Sequence, residues 1–270
     1  MAKRYVRPVE SRQFLIRRLH SLSGIIPIGV FLFFHLGTNS LIAVSSPADD
    51  LFQKQVNNIH NLGPLLIPVE LLFIFVPIAY HAIVGVKIWL ESESNSRHYP
   101  YMGNIRYTLQ RATGIAALLF IILHLYQLHW MGNLLRPVGA VTFRMEAASY
   151  STAQVIQSVI WIVPLYTIGV AAACFHFANG IWTFLITWGV TIGPQSQRVS
   201  GYACAALGVA LTITGLIALR GFSIFKIDQA QPASVSGVFH EPLALARAAI
   251  WTTDGRLSEQ TTWEDWRRAG

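Results

Sequence analysis

Charged side chains are scarce in this sequence. Asp, Glu, Lys and Arg make up 12% of its 270 residues, whereas hydrophobic residues make up 53%. Soluble domains carry about a quarter charged residues, so this balance is atypical of a soluble fold and indicates the lipid bilayer as the main solvent.

Cysteine is almost absent as well. Cys174 and Cys204 both lie in apolar segments, and the sequence contains no Cys-x-x-Cys pair and no Cys-x-x-Cys-His. A disulfide framework, an iron–sulfur cluster and covalently attached haem are therefore unsupported. Any haem in this chain has to be held by histidine or methionine.

The apolar residues that dominate the chain occur in five blocks, at about residues 21–44, 64–90, 112–130, 155–188 and 201–220. Each reaches the roughly 18–20 residues that cross the hydrocarbon layer as a helix. We predict an all-α integral membrane protein with five transmembrane helices, termed the first to fifth spans, of which four form a bundle. The first block lacks a following small-residue cleavage site, so we expect it to remain rather than act as a signal peptide.

Basic residues collect at alternate ends of these spans. The loops after the first and third spans hold Lys54, Arg136 and Arg144. The N-terminus and the loops after the second and fourth spans hold Lys3, Arg4, Arg7, Arg12, Arg17, Arg18, Arg97, Arg106, Arg111 and Arg198. The positive-inside rule then predicts a cytoplasmic segment 1–20, a membrane domain 21–220 and an extracytoplasmic extension 221–270. Because the charge follows helix ends, the net charge of +7 does not indicate a nucleic-acid partner.

Two pairs of spans resemble copies of one unit. The first and third each have a Ser/Thr-Gly-Ile step and a later histidine, and the second and fourth each have a histidine followed four residues on by glycine. Glycine recurs in membrane helices for packing, but ionisable residues are costly in hydrocarbon and normally face a partner or ligand inside the bundle. The repeated histidines are His35, His81, His124 and His176.

These histidines form two level pairs. A rise of about 1.5 Å per residue places His35 and His124 in the outer part of the membrane and His81 and His176 in the inner part. Two level histidines on different helices suit a bis-histidine b-type haem, whose axial ligands approach iron from opposite faces. We therefore predict a dihaem bundle, with the outer haem on His35 and His124. The inner haem is predicted on His81 and His176.

Other residues are assigned supporting roles around the inner haem. Gly85 and Gly180 lie one turn from their histidines, where a missing side chain lets the flat macrocycle approach the backbone. Arg17, Arg18 and His20 lie at the inner end of the first span and are candidates for contacts to the propionates or to a quinone.

Glu70 is the one acidic residue deep in a span. It lies eleven residues before His81, close to three helical turns, and so on the same face at the level of the outer haem. We nominate it for proton exchange with a quinone; the alternative is a structural acid hydrogen-bonded within the bundle. His129 and Trp130 are predicted to border the same pocket, although tryptophan there is also a common interfacial anchor.

Three segments carry a resemblance to a known family: RRLHSL at residues 17–22, HFANGIWTF at 176–184 and PQSQRVS at 194–200. Over about residues 12–220 the chain resembles the cytochrome b558 membrane anchors of Bacillus-type succinate dehydrogenase. This implies a dihaem subunit of a succinate:menaquinone oxidoreductase in the bacterial cytoplasmic membrane. It also implies a low-potential outer haem, a high-potential inner haem, and cytoplasmic flavoprotein and iron–sulfur partners that deliver electrons to the inner haem.

Three alternatives remain open from the sequence. Quinol:fumarate reduction uses the same subunit in reverse. An inner quinone site built from Ser23, His20 and Arg17 competes with the outer one. A proton-relay transporter also explains buried histidines, but it predicts a protein without pigment.

Overall fold

The computed structural model describes residues 8–46, 48–92, 98, 101–129 and 142–227. These residues are helical apart from turns and one isolated bridge between Ser46 and Asp49, and they contain no strand. Five helical stretches are long and apolar enough to cross a membrane, which confirms the predicted fold class. Their bounds are Arg12–Val44, Gly63–Leu90, Met102–Leu128, Ile162–Thr187 and Pro194–Ile224.

The first span is built from two helices, Pro8–Ile25 and Pro27–Ser40, followed by a 3₁₀ turn at Leu41–Val44. The break falls at Pro27, which has no N–H to donate to the carbonyl of Ser23. The helix begins before the predicted apolar block, in a segment that contains Glu10 and Arg12. The predicted segment boundary at residue 20 therefore lies inside a continuous helix.

The second span changes its winding on the way to His81. A 3₁₀ turn at Gly63–Leu65 leads into a short helix at Leu66–Glu70, a π-helical stretch at Leu71–Phe75 and a helix at Val76–Leu90. A π turn holds more residues than an α turn, so counting whole α-helical turns no longer gives the direction of Glu70 relative to His81.

The third span is one helix, Met102–Leu128, and the fourth is Ile162–Thr187. The predicted fourth block began at 155 because it included the end of a separate helix, Ala148–Gln157. Gly189 lies two residues beyond the end of the fourth span, and its positive φ of 73° suits a glycine just after a helix. The fifth span, Pro194–Ile224, starts with proline in its first turn and runs past the predicted boundary at residue 220.

The fourth span lies at the centre of the packing, against the first, third and fifth spans, while the second packs against the first. Small residues bring the fourth and fifth spans close together. A Cβ on Gly208 would lie 2.9 Å from the Cβ of Ala178, and one on Gly215 would lie 2.6 Å from Cγ1 of Val170. Such close approach favours van der Waals packing, which drives helix association in lipid.

Two short helices, Leu51–His60 and Ala148–Gln157, cover the ends of the spans that carry His35 and His124. Gln53 joins them: its Nε2 donates to the carbonyl of Met145 at 2.8 Å, and its Oε1 accepts from the N–H of Ala148 at 2.6 Å. Phe52 and Ile156 of these helices belong to a buried apolar cluster that also contains residues of the first, fourth and fifth spans. This end of the bundle is therefore closed by packed side chains.

Candidate haem-ligand site

His81 and His176, the inner pair, face each other between the second and fourth spans. Their ring centres are 6.1 Å apart and the ring planes are almost perpendicular, at 86°. An iron bound by two imidazoles at about 2 Å each separates the ring centres by roughly 6 Å. The spacing fits a bis-histidine haem.

Backbone carbonyls orient both imidazoles of the inner pair. Nδ1 of His81 lies 2.9 Å from the carbonyl oxygen of His20, and Nδ1 of His176 lies 2.9 Å from that of Gln110. When Nδ1 carries the proton and donates it to a carbonyl, Nε2 is left as the metal-binding nitrogen. The hydrogen bonds thus select the tautomer that a haem ligand needs.

Glycine on the neighbouring helix makes room for each ring. A Cβ built on Gly24 would lie 2.6 Å from Cε1 of His81, and one on Gly114 would lie 2.8 Å from Cε1 of His176. These are the glycines of the Ser/Thr-Gly-Ile steps. The sequence marked them as a repeat without assigning them this role, because only the packing of two spans reveals it.

Gly85 and Gly180 face the residues that hold the histidines. A Cβ on Gly85 would lie 3.2 Å from Cε1 of His20, and one on Gly180 would lie 3.5 Å from Nε2 of Gln110. The two halves of the repeat are therefore equivalent, with His20 and Gln110 at matching positions. That these glycines also pack against haem stays a prediction.

His35 and His124, the outer pair, meet between the first and third spans. Their ring centres are 5.6 Å apart and their planes are again at 86°. The ring centre of Phe31 lies 5.1 Å from that of His35, and the ring centre of Phe120 lies 5.8 Å from that of His124. The similarity between the two halves therefore includes an aromatic neighbour of each outer histidine. Ten residues of continuous helix separate Gly114, beside the inner pair, from His124, which corresponds to about 15 Å.

The surroundings of the outer pair are more apolar. Tyr166 lies 5.9 Å from the His124 ring and donates a buried hydrogen bond of 2.9 Å to Oε1 of Gln127. Within the described residues, Nδ1 of His124 is buried and has no hydrogen-bond partner.

Two arginines near the inner pair have buried nitrogen atoms that lack acceptors among the described residues: one terminal nitrogen of Arg18 and Nε of Arg111. Arg18 lies over the ring of Trp188 at 5.3 Å. A buried N–H without an acceptor is costly, and carboxylates are the strongest partners for guanidinium groups. These nitrogens therefore fit the propionates of a haem.

The other basic candidates at this end have different contacts. Arg17 forms an exposed ion pair with Glu91 at 3.7 Å. The ring of His20 stacks on that of His81, with ring centres 4.0 Å apart. A propionate or quinone contact for either residue stays a prediction.

Glu70 and His129 come together beyond the outer pair. Oε2 of Glu70 lies 3.9 Å from Nε2 of His129, and both side chains are mostly buried. Phe75, in the π-helical stretch, lies 5.3 Å from the His129 ring. Burial lowers the pKa of His129. Trp130, the other predicted pocket residue, lies outside the described residues.

These features define a multi-pass membrane protein with two facing histidine pairs in its helical bundle. Residues 92–215 match the family model for the succinate dehydrogenase/fumarate reductase transmembrane subunit. The chain is also 38% identical over 213 residues to the succinate dehydrogenase cytochrome b558 subunit of Bacillus subtilis (strain 168), covering 78% of this chain and 98% of that protein. It belongs to the family of succinate dehydrogenase/fumarate reductase transmembrane subunits, which confirms the resemblance.

Proposed function

We propose that this chain is the dihaem membrane anchor of a succinate:quinone oxidoreductase. His81 and His176 hold the inner haem, and His35 and His124 hold the outer one. The observation that carries the proposal is the pair of facing imidazole sets, with ring centres 6.1 and 5.6 Å apart. Bound haem supplies one-electron carriers at each position.

The protein's own groups hold and insulate the ligands. The carbonyls of His20 and Gln110 fix the inner imidazoles, and Gly24 and Gly114 leave space for them. The packed cluster that joins the two short helices to the spans keeps water from the outer end of the bundle. Arg18 and Arg111 offer N–H groups to the inner propionates.

The partners follow from the family and from what the sequence lacks. The chain contains no Cys-x-x-Cys pair that would indicate an iron–sulfur cluster of its own. A flavoprotein that oxidises succinate and an iron–sulfur protein on the cytoplasmic face therefore supply the electrons. The N-terminus lies in the cytoplasm, the C-terminus lies outside, and the membrane is the bacterial cytoplasmic membrane. The extension from residue 228 onward lies outside the described residues.

The quinone, menaquinone by family resemblance, is reduced near Glu70 and His129. Reduction to quinol takes two electrons and two protons, and these two side chains form a proton-exchanging pair beyond the outer histidines. The competing inner site receives less support. Ser23 lies 3.4 Å from Nδ1 of His81, His20 stacks on the same ring, and Arg17 is paired at the surface with Glu91.

Two alternatives use the same fold. A fumarate reductase anchor passes electrons in the opposite direction through the same residues, and the family model covers both enzymes. A proton-relay transporter requires no haem. The two almost perpendicular imidazole pairs favour metal ligation over a relay, because each pair has the spacing that one intervening iron requires.

Haem quantitation with a dithionite-reduced minus oxidised spectrum of the purified complex tests this function. We expect two b-type haems per chain, and one haem after replacement of a single histidine, as in His124→Leu or His176→Leu. A colourless complex would exclude the proposal. A complex that keeps two haems in both variants would exclude the assigned ligands.

A further inference from the structure

Asn179 is a polar residue in the apolar fourth span for which the proposed electron route has no use. Its side chain is 3% exposed, three residues beyond His176. Its Nδ2 donates to Oε1 of Gln110 at 2.8 Å, and its Oδ1 accepts from Nε of Arg106 at 2.7 Å. Both ends of the amide therefore have partners in a region where an unpaired polar group is costly.

Gln110, the partner of Asn179, holds His176 with two hydrogen bonds. Its Nε2 donates to the carbonyl oxygen of His176 at 3.0 Å, and its own carbonyl accepts from Nδ1 of His176 at 2.9 Å. Asn179 fixes the side chain that makes the first bond. That first bond ties the backbone of His176 to the third span, and so keeps Nδ1 of His176 opposite the Gln110 carbonyl, whose own position is set by the helix.

Arg106 anchors the other end of this chain of contacts. Its guanidinium carbon lies 3.7 Å from the centre of the Trp182 ring, and Nε1 of Trp182 donates to the carbonyl of Gln197 at 2.8 Å. Contacts thus run from the beginning of the fifth span through Arg106 and Asn179 to the imidazole of His176. Hydrogen-bonded networks centred on a buried, fully paired amide favour one side-chain geometry.

The repeat supplies an internal comparison. At the position of Asn179 the second span has Val84, and at the position of Gln110 the first span has His20. Nδ1 of His81 contacts a backbone carbonyl, as His176 does, but valine has no amide with which to fix its partner. Of the two inner histidines, His176 alone is held by the hydrogen-bonded side chains of an asparagine and a glutamine, a pair that we call the clamp.

We propose that Asn179 is a positioning residue that, through Gln110, sets the basicity of His176 and so the redox midpoint of the inner haem. This rests on the proposed function, in which His176 is a haem ligand. An imidazole that donates a well-fixed Nδ1–H bond is a more basic ligand and stabilises the more positive, oxidised iron. Loosening that bond raises the midpoint.

Asn179→Leu tests the proposal, because leucine has the same branching without polar atoms. In the intact membrane complex, a spectroelectrochemical titration should show one midpoint raised and the other unchanged. Loss of a supporting partner changes metal-site properties by about tenfold or more. A tenfold change in the one-electron equilibrium corresponds to about 59 mV.

Gln110→Leu removes the clamp but keeps the backbone carbonyl, so it should raise the same midpoint. If Asn179 acts through Gln110, the double variant should shift no further than Gln110→Leu alone. Val84→Ala, at the matching position of the other half, is the control and should leave both midpoints unchanged.

Two results overturn the proposal. One is additive shifts in the double variant, and the other is a wild-type midpoint in a haem-replete Gln110→Leu complex, which decides the matter even if Asn179→Leu fails to assemble. Wild-type complex without haem would instead overturn the proposed function, so the two failures are distinguishable.

Discussion

The inner and outer histidine pairs share one geometry but differ in their surroundings. Both inner imidazoles contact backbone carbonyls through Nδ1, whereas Nδ1 of His124 has no such partner among the described residues. Arg18 and Arg111 accompany the inner pair, and aromatic rings accompany the outer one. In the proposed function the same ligands thus produce two different carriers, because the neighbours rather than the ligands set the potential.

Gly24→Ala should have the largest effect on the difference between the two histidine pairs, because it should abolish haem binding at the inner pair. The new Cβ would lie 2.6 Å from Cε1 of His81, which forces the imidazole or the helix to move. We expect haem content to fall from two to one per chain. Gly37→Ala in the same span is the control, because nothing lies within 4 Å of a Cβ at that position. Two haems with unchanged midpoints in Gly24→Ala would contradict this view of the inner site.

Glu70→Gln should affect only the step beyond the outer pair. Loss of a proton-exchanging group typically costs about 10²–10⁴-fold in rate, so quinone reduction should fall by at least about 100-fold while both haems remain. Glu91→Gln, which removes an exposed acid paired with Arg17, is the matched control and should retain activity. Full quinone reduction by Glu70→Gln would assign Glu70 a structural role.

Tyr166→Phe should loosen the surroundings of the outer pair without removing its haem. The change leaves the buried Oε1 of Gln127 without the 2.9 Å hydrogen bond, at a cost of about 1–3 kcal/mol. For a chain of this size each kcal/mol corresponds to about 2–4 °C in Tm. Thermal unfolding of the two proteins in detergent measures this decrease in Tm. An unchanged Tm would mean that the hydrogen bond contributes no net stability.

The pH dependence of stability should show the smallest effect. Burial lowers the pKa of His129, so the folded chain binds this proton at a lower pH than the unfolded chain does. As the pH falls below the unfolded value of about 6.5, the unfolded state binds more protons and stability decreases. His129→Gln should flatten this decrease, with a Tm difference of at most about 3 °C at low pH. Identical acid profiles would show that His129 does not titrate differently on folding.

The five spans and the facing of the four histidines could be predicted because both depend on simple one-dimensional quantities. Apolar block length gives the number of spans, and the rise per residue gives the depth of each histidine. Block length does not detect the short helix at Leu51–His60, because this helix is amphipathic rather than uniformly apolar: Leu51, Phe52, Val56 and Ile59 follow a helical spacing among polar residues.

Features that depend on contacts between spans could not be predicted from the sequence either. The π-helical stretch at Leu71–Phe75 changes the direction of Glu70, and contact with His129 rather than turn counting locates its carboxylate. The role of Gly24 depends on which ring faces it from the second span. From the sequence, Asn179 is only a costly polar residue in an apolar span. The structure shows that its amide is hydrogen-bonded to Gln110 at one end and to Arg106 at the other.

The inner histidines are oriented by backbone carbonyls, which leaves the side chains at those two positions free to differ. Every amino acid supplies the same backbone oxygen, so His20 and Gln110 can fulfil this duty with unrelated side chains. The imidazole stays oriented in both halves of the repeat although the two side chains differ. A substitution at either position therefore keeps the acceptor for Nδ1, and the side chain there is available to tune the ligand, as we propose for the amide of Gln110.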